Sequence, residues 1–358
     1  MSKLQEELTY RAYATGWSLV RRLPERTAYA LFRQVADRSW RKRGKSVRRL
    51  ESNLARVLGP SATEEQIRAV SKQGMRSYMR YYCDTFRLET WSRERVVSTF
   101  KLENEQLLRD LLASRRGVVL ALPHMGNWDH AGAWVAGIAE GGFTTVAERL
   151  KPEKLFERFL RYRESIGMEV LPLTGGTGTF GGLIRRLRAG GLVCLVAERD
   201  LTDRGVPVRF FGETTKLPAG PAALAVSTGA ALCPVTLWYS EDAAHAKVWP
   251  EIEVPAEGTR QEKIAYLCQQ VADVFAQGIA EHPADWHMLQ RLWLVDLDPE
   301  RAPAPAGASD PVEGPGGGAG PVTEAEGAAG DQGAPKDQDG AVGDPSPTTL
   351  AVEADGAR

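Results

Sequence analysis

Cysteine is scarce in this 358-residue chain, and the four present, Cys83, Cys194, Cys233 and Cys268, are far apart. Without a C-x-x-C spacing there is no zinc ribbon and no thioredoxin-like redox pair; single thiols inside apolar runs suit reduced core residues. Of the five histidines, His130, His245, His282 and His287 are too scattered to build a metal centre, so no metal is expected. Long hydrophobic runs are missing as well. None reaches the roughly 20 residues that span a bilayer, and the N-terminus lacks the apolar core of a secretory signal. A protein kept on the cytoplasmic side is the expectation. G-x-S-x-G, Walker A and H-E-x-x-H are absent too, which removes the hydrolase elbow, the P-loop and the zincins.

Net charge is also lacking, at −1, but this is an average of opposites. Residues 1–50 carry 13 Lys and Arg against 4 Asp and Glu, whereas residues 301–358 carry 3 against 10. The basic front favours an anionic partner, with a phospholipid surface preferred over nucleic acid because no nucleic-acid reader module accompanies the charge. The segment 298–358 is Gly-, Ala- and Pro-rich with almost no large apolar residue. It cannot bury enough surface to offset its ordering entropy and is expected to be a disordered acidic tail. Residues 1–297 then form one domain, opened by basic, amphipathic helices over about residues 1–60.

Periodicity predicts a helix from Leu4 to Leu23, stopped by Pro24, with Tyr10, Tyr13, Trp17 and Val20 on one side. That side suits either a membrane interface or packing on the domain. Helices over 25–39 and about 50–58 follow, then one over 63–90 whose Tyr78, Met79, Tyr81, Tyr82 and Phe86 read as a core seam. Strands are predicted at 117–122, 144–147, 169–173, 192–197 and 232–238, with helices between them, notably 154–165 and 181–189, and a last helix over 260–281. Residues 205–212 read as a hairpin or loop. This alternation implies an α/β fold, a mainly parallel central sheet covered by helices on both faces, with a helical N-terminal lead-in.

Directly after the run 117–123 stands His124-Met125-Gly126-Asn127-Trp128-Asp129. A strand end followed by a glycine turn is where α/β enzymes place reacting groups. Histidine titrates near neutrality, and a carboxylate can fix its tautomer, so His124 with Asp129 suits general-base chemistry. Glu198, ending the run 192–197, faces the same carboxyl edge and is the second acid able to hold the ring. Backbone N–H groups at Gly126 and Asn127 are oxyanion candidates. A rival motif is Gly176-Thr177-Gly178-Thr179-Phe180-Gly181, a G-x-G-x-x-G between strand and helix with Glu198 placed 22 residues on. It would serve an NAD(P)-dependent oxidoreductase. It leaves the His124 block and the basic front unexplained.

Several blocks in one order carry a resemblance: 124–129, Val146-Ala147-Glu148-Arg149-Leu150, 190–198, Phe210-Phe211-Gly212 and 217–221, joined by 74–82, 161–167 and Asp285-Trp286-His287-Met288-Leu289-Gln290. Together they resemble the bacterial lipid A biosynthesis (lauroyl and myristoyl) acyltransferases, and most of all the actinobacterial phosphatidylinositol mannoside branch. The likeness covers about residues 5–297. It implies a glycerolipid acyltransferase-like fold, peripheral at the cytoplasmic face of the cell membrane. Acyl-CoA would be the donor substrate, with no cofactor, and the mannose 6-hydroxyl of a phosphatidylinositol mannoside the acceptor. It further implies His124, Asp129 and Glu198 as the catalytic group, with Glu148 and Arg163 lining the site. Arg149 and Arg199 are alternatives to Arg163 as phosphate contacts, because arginine's planar fork suits that task. Lipid A precursors and lysophospholipids are the competing acceptors, and a noncatalytic adaptor is the remaining class.

Overall fold

Strands that read as near-continuous apolar runs need helices above and below them, and here they lie side by side in one sheet. The computed structural model describes residues 3–147, 153–172, 178–200 and 204–297. In chain order the strands are β1 (Phe100–Glu103), β2 (Val118–Leu122), β3 (Phe143–Ala147), β4 (Met168–Pro172), β5 (Leu192–Val196), β6 (Val206–Phe210), β7 (Glu213–Leu217), β8 (Ala231–Tyr239) and β9 (Ala244–Val248). Seven of them form the central sheet in the order β1-β9-β8-β2-β5-β3-β4, while β6 and β7 make a separate hairpin. The five strands from β8 to β4 are mutually parallel, and β9 reverses against β8. The mainly parallel sheet is therefore present, with an antiparallel flank.

Helices α1 (Lys3–Arg22), α2 (Glu25–Lys42), α3 (Lys45–Leu58) and α4 (Glu64–Leu88) form the N-terminal layer, followed by α5 (Arg93–Ser98) and α6 (Glu105–Ala113). Between strands lie α7 (Trp128–Val135), α8 (Glu153–Ser165), α9 (Thr179–Arg188) and α10 (Gly220–Thr228), and the chain closes with α11 (Arg260–Glu281), a 3₁₀ turn (Pro283–Asp285) and α12 (Leu294–Leu297). Strand alternation divides the core. Val118, Leu120 and Leu122 of β2 face the layer holding α4 and α7, whereas Val119 and Ala121 face the layer holding α9, α10 and α11. α4 is the longest helix and starts with a capping box, in which Thr63 and Gln66 satisfy each other's backbone N–H.

The aromatic side of α1 faces inward, not towards a membrane interface. Trp17 is 1 % exposed and donates its Nε1–H to the Phe86 carbonyl of α4 at 3.0 Å. The outward apolar residues are different ones, Leu19 of α1 and Leu31 and Val35 of α2. Residues 298–358, expected to be an acidic tail, lie outside the described residues.

Candidate active site

β2 and β5 pair in parallel with Val118 opposite Leu192 and Leu122 opposite Val196, and the ladder is closed by the Ala197 N–H donating to the Leu122 carbonyl at 2.8 Å. Extending this register by two residues puts His124 opposite Glu198. Their meeting in space is thus set by strand register, and the two side chains come together at the carboxyl edge. After β2 the chain turns into α7 on one face; after β5 it leads to the hairpin and α10, which packs on the other. A crevice opens where connections diverge in this way, and ligands of α/β sheets bind there. Gly126 makes the turn possible. Its φ is +55°, and a Cβ there would lie 2.8 Å from the Leu237 carbonyl carbon.

One oxygen of Glu198 receives two hydrogen bonds from His124, from the backbone N–H at 2.6 Å and from Nδ1 at 2.8 Å. The Glu198 carboxylate is fully buried, while the His124 side chain is 25 % exposed. With Nδ1–H directed at the carboxylate, the basic lone pair sits on Nε2. That is the tautomer a general base at a crevice mouth requires, with the acid ready to steady the imidazolium. The Trp128 ring packs edge-on against the imidazole at 5.6 Å between centroids.

Asp129 does something else. Its Oδ2 accepts the Tyr81 hydroxyl at 3.0 Å and the Thr85 hydroxyl at 3.3 Å, and its Oδ1 accepts Arg163 Nε at 3.2 Å. Of the two acids expected to hold the imidazole, then, Glu198 is hydrogen-bonded to it and Asp129 anchors a guanidinium instead. The oxyanion expectation also needs correction at Gly126. The Gly126 N–H is committed to the Asp285 carbonyl at 2.9 Å, and Asn127 is fully buried. Asn127 works as a helix cap, its Oδ1 accepting the His130 N–H at 2.9 Å while its Nδ2 donates to Asp84 at 3.3 Å. Arg199 follows Glu198 at the same edge and is half-buried. Glu148 and Arg149 lie outside the described residues.

Several residues behind this turn escaped the sequence reading. Ser77, Asp84 and Thr85 of α4 recur at helical spacing on the side facing the site with Tyr81 of the core seam, polar groups inside an aromatic run. That interruption was the available signal. Burial pushes the Asp84 carboxyl up, and it accepts hydroxyls from Tyr29 and Tyr239, the latter at 3.0 Å.

Beneath α7 lies a cavity of about 100 Å³ walled by Leu120, Leu122, Gly132, Phe143, Val196 and Val235 among other apolar groups. Trp128, Asp129 and Arg163 also line it, the last two as its charged residues. An apolar chamber that meets a few polar groups suits an aliphatic chain whose reacting end stays near His124. The dinucleotide reading fares worse. Gly176 and Thr177 lie outside the described residues, and β4, which precedes the glycines, is an edge strand separated from β5 by β3. Glu198 is therefore not on the adjacent strand that the ribose role needs, and its carboxylate is bound to His124.

The sequence profile of the family described as bacterial lipid A biosynthesis acyltransferase matches residues 1–295. A phosphatidylinositol mannoside acyltransferase of Mycolicibacterium smegmatis is 47 % identical over 299 residues, covering 82 % of this chain and 94 % of that protein. A protein of the same name from Mycobacterium tuberculosis is 46 % identical over 305 residues, covering 84 % and 93 %.

Proposed function

The chain belongs to the bacterial lipid A biosynthesis acyltransferase family, and we propose that it moves a fatty acyl group from acyl-CoA to the mannose 6-hydroxyl of a phosphatidylinositol mannoside. The observation that carries the reading is the Glu198-held His124 beside an apolar cavity. The mannoside acceptor rests on the names of the two relatives and on the extent of their similarity.

His124 Nε2 takes the proton of the sugar hydroxyl while its oxygen attacks the thioester carbonyl, forming the new C–O bond. The C–S bond then breaks and CoA leaves as a thiolate. Because a thiol has a pKa of about 8.5, no strong acid is needed for that departure, and the imidazolium can return the proton. A base of this kind contributes on the order of 10²–10⁴-fold. Arg163, held by Asp129, presents a fixed positive charge for a phosphate or sugar hydroxyl. Arg199, half-buried at the same edge, adds a second positive group for the acceptor, and the resemblance assigns Glu148 and Arg149, which lie outside the described residues, to the same task.

The enzyme works at the cytoplasmic membrane face as a peripheral protein. Among the described residues no helix is long and apolar enough to cross a bilayer. Leu19, Leu31 and Val35 stand exposed on basic helices, a combination that favours an anionic lipid surface.

The test supplies radiolabelled palmitoyl-CoA with phosphatidylinositol mannosides, phosphatidylinositol, lipid A precursor or lysophosphatidate, for wild type and His124→Ala. Label is expected on the mannosides with wild type alone. Transfer to another lipid would overturn the acceptor, and an active His124→Ala protein would overturn the base.

A further inference from the structure

Two sequence blocks of the family resemblance have no part in the chemistry above, 74–82 and 285–290, and they meet directly behind His124. The backbone of 285–287 runs antiparallel across 124–126: the His287 N–H donates to the His124 carbonyl at 2.8 Å, and the Gly126 N–H donates to the Asp285 carbonyl at 2.9 Å. Met125 and Trp286 form the bridge between them, and both are fully buried. The strap comes from a point 161 residues later in the chain, so nothing local holds it there. Its side chains do. The Ser77 hydroxyl on α4 donates to Asp285 Oδ1 at 2.5 Å and lies 2.9 Å from His287 Nε2. The Tyr239 N–H of β8 donates to Asp285 Oδ2 at 3.2 Å. Since the single Ser77 proton points to the carboxylate, its oxygen accepts from His287 Nε2–H. The chain of donors therefore has one direction. Burial holds the His287 imidazole neutral, with its pKa pushed down to about 3, so its single ring proton is the one on Nε2 that Ser77 accepts.

We propose that Ser77, Asp285 and His287 form a positioning group that fixes the backbone of the His124 turn and so the alignment of His124 on Glu198. The argument rests on the reading of His124 as the base. The strap clamps the His124 carbonyl and, two residues on, the Gly126 N–H, and the His124 N–H goes to the same Glu198 oxygen as Nδ1. A shift of the turn therefore moves both bonds together. Ser77 is the element to remove, because one hydroxyl joins both side chains of the strap.

Ser77→Ala in the full chain is expected to lower kcat by roughly ten- to hundredfold, the loss typical of a reacting group displaced by about an ångström, with KM for palmitoyl-CoA unchanged. The proton resonance of the His124 Nδ1–H to Glu198 hydrogen bond should shift in the same variant, and Ser77→Thr, which restores the hydroxyl, should recover most of the rate. If Ser77→Ala does not fold, the same readings are taken on Asp285→Asn. Wild-type kcat, a rise in KM alone, or lost kcat with an unmoved His124 resonance would each overturn the proposal. His124→Ala serves as the control: an active control sinks the base assignment itself, whereas an inactive control beside a wild-type-like Ser77→Ala sinks only the strap.

Discussion

Burial of polar side chains, rather than their exposure, sets the character of this site. Glu198 is buried beneath a partly exposed His124, and Asp84, Asp129 and His287 are buried around the turn, with Asp285 half-buried beside them. Such groups make stability depend on pH. His130, capped by Asn127 and bonded through Nε2 to the Val96 carbonyl at 2.9 Å, has its pKa pushed down from 6.5 to about 4 by burial. The unfolded chain therefore binds a proton below 6.5 that the folded one refuses. Its contribution is complete above 6.5 and is lost as pH falls towards 4. Asp285 acts in the opposite sense. Burial pushes it up to about 6, so its contribution is complete at low pH and is lost as pH rises from about 4 to 6. In that window the two effects oppose each other. His130→Gln keeps an N–H for the Val96 carbonyl but takes up no proton, so its unfolding free energy should fall by about 1.4 kcal/mol less per pH unit on acidification than wild type. Urea unfolding across the window measures this, and parallel slopes would contradict it.

Among the elements, the five strands predicted from the sequence all lie in the central sheet, and the clearest of them are the most buried. β2, β5 and β8 announce themselves as apolar runs bounded by turns. β1 and β9 were not legible, because the exposed alternation of β1 is only four residues long and β9 turns small alanines inward where large β-formers would give a signal. His124 and Glu198 could be found because each ends a readable strand. Their contact could not, since register is a property of the assembled sheet. The polar residues of α4 were hidden by the aromatics around them, and the role of Asp129 by its closeness in sequence to His124. α7 carries the element-scale prediction. Gly132 faces the cavity, and a Cβ there would meet Met168 Cε at 2.3 Å and Phe143 Cζ at 3.0 Å. Gly132→Val should push both side chains into the space proposed for the acyl chain. Transfer from palmitoyl-CoA should then fall relative to octanoyl-CoA by roughly tenfold, the scale of one or two lost methylene contacts. An equal loss for both donors would place the acyl chain elsewhere.

At the scale of the whole molecule, basic charge is concentrated in the N-terminal layer, which also exposes Leu19, Leu31 and Val35, while the crevice opens at the carboxyl edge of the sheet. α8 carries Arg163 at the crevice and also reaches the first helix. Lys154 pairs with Glu7 at 2.7 Å, and Arg158 lies over the Trp17 ring at 4.9 Å. The N-terminal layer and the site are thus parts of one packed body, and docking of that layer on lipid would bring the crevice to a lipid-borne acceptor. Leu31 and Val35 lie one helical turn apart on the exposed side of α2, followed on the same helix by the exposed Arg38 and Arg41. Apolar insertion and basic charge should contribute separately. Replacing both Leu31 and Val35 by Gln removes side chains worth about 1.5–3 kcal/mol each when fully buried, so affinity for phosphatidylglycerol vesicles should fall by at least about tenfold. Raising salt should weaken both proteins alike, since exposed charges beyond about 8 Å are screened at physiological ionic strength. Turnover of a water-soluble mannoside should be unchanged, because neither residue touches the site. If the double variant sediments with vesicles as wild type does at every salt concentration, these helices are not the lipid-facing side, and the acceptor must be reached from another surface.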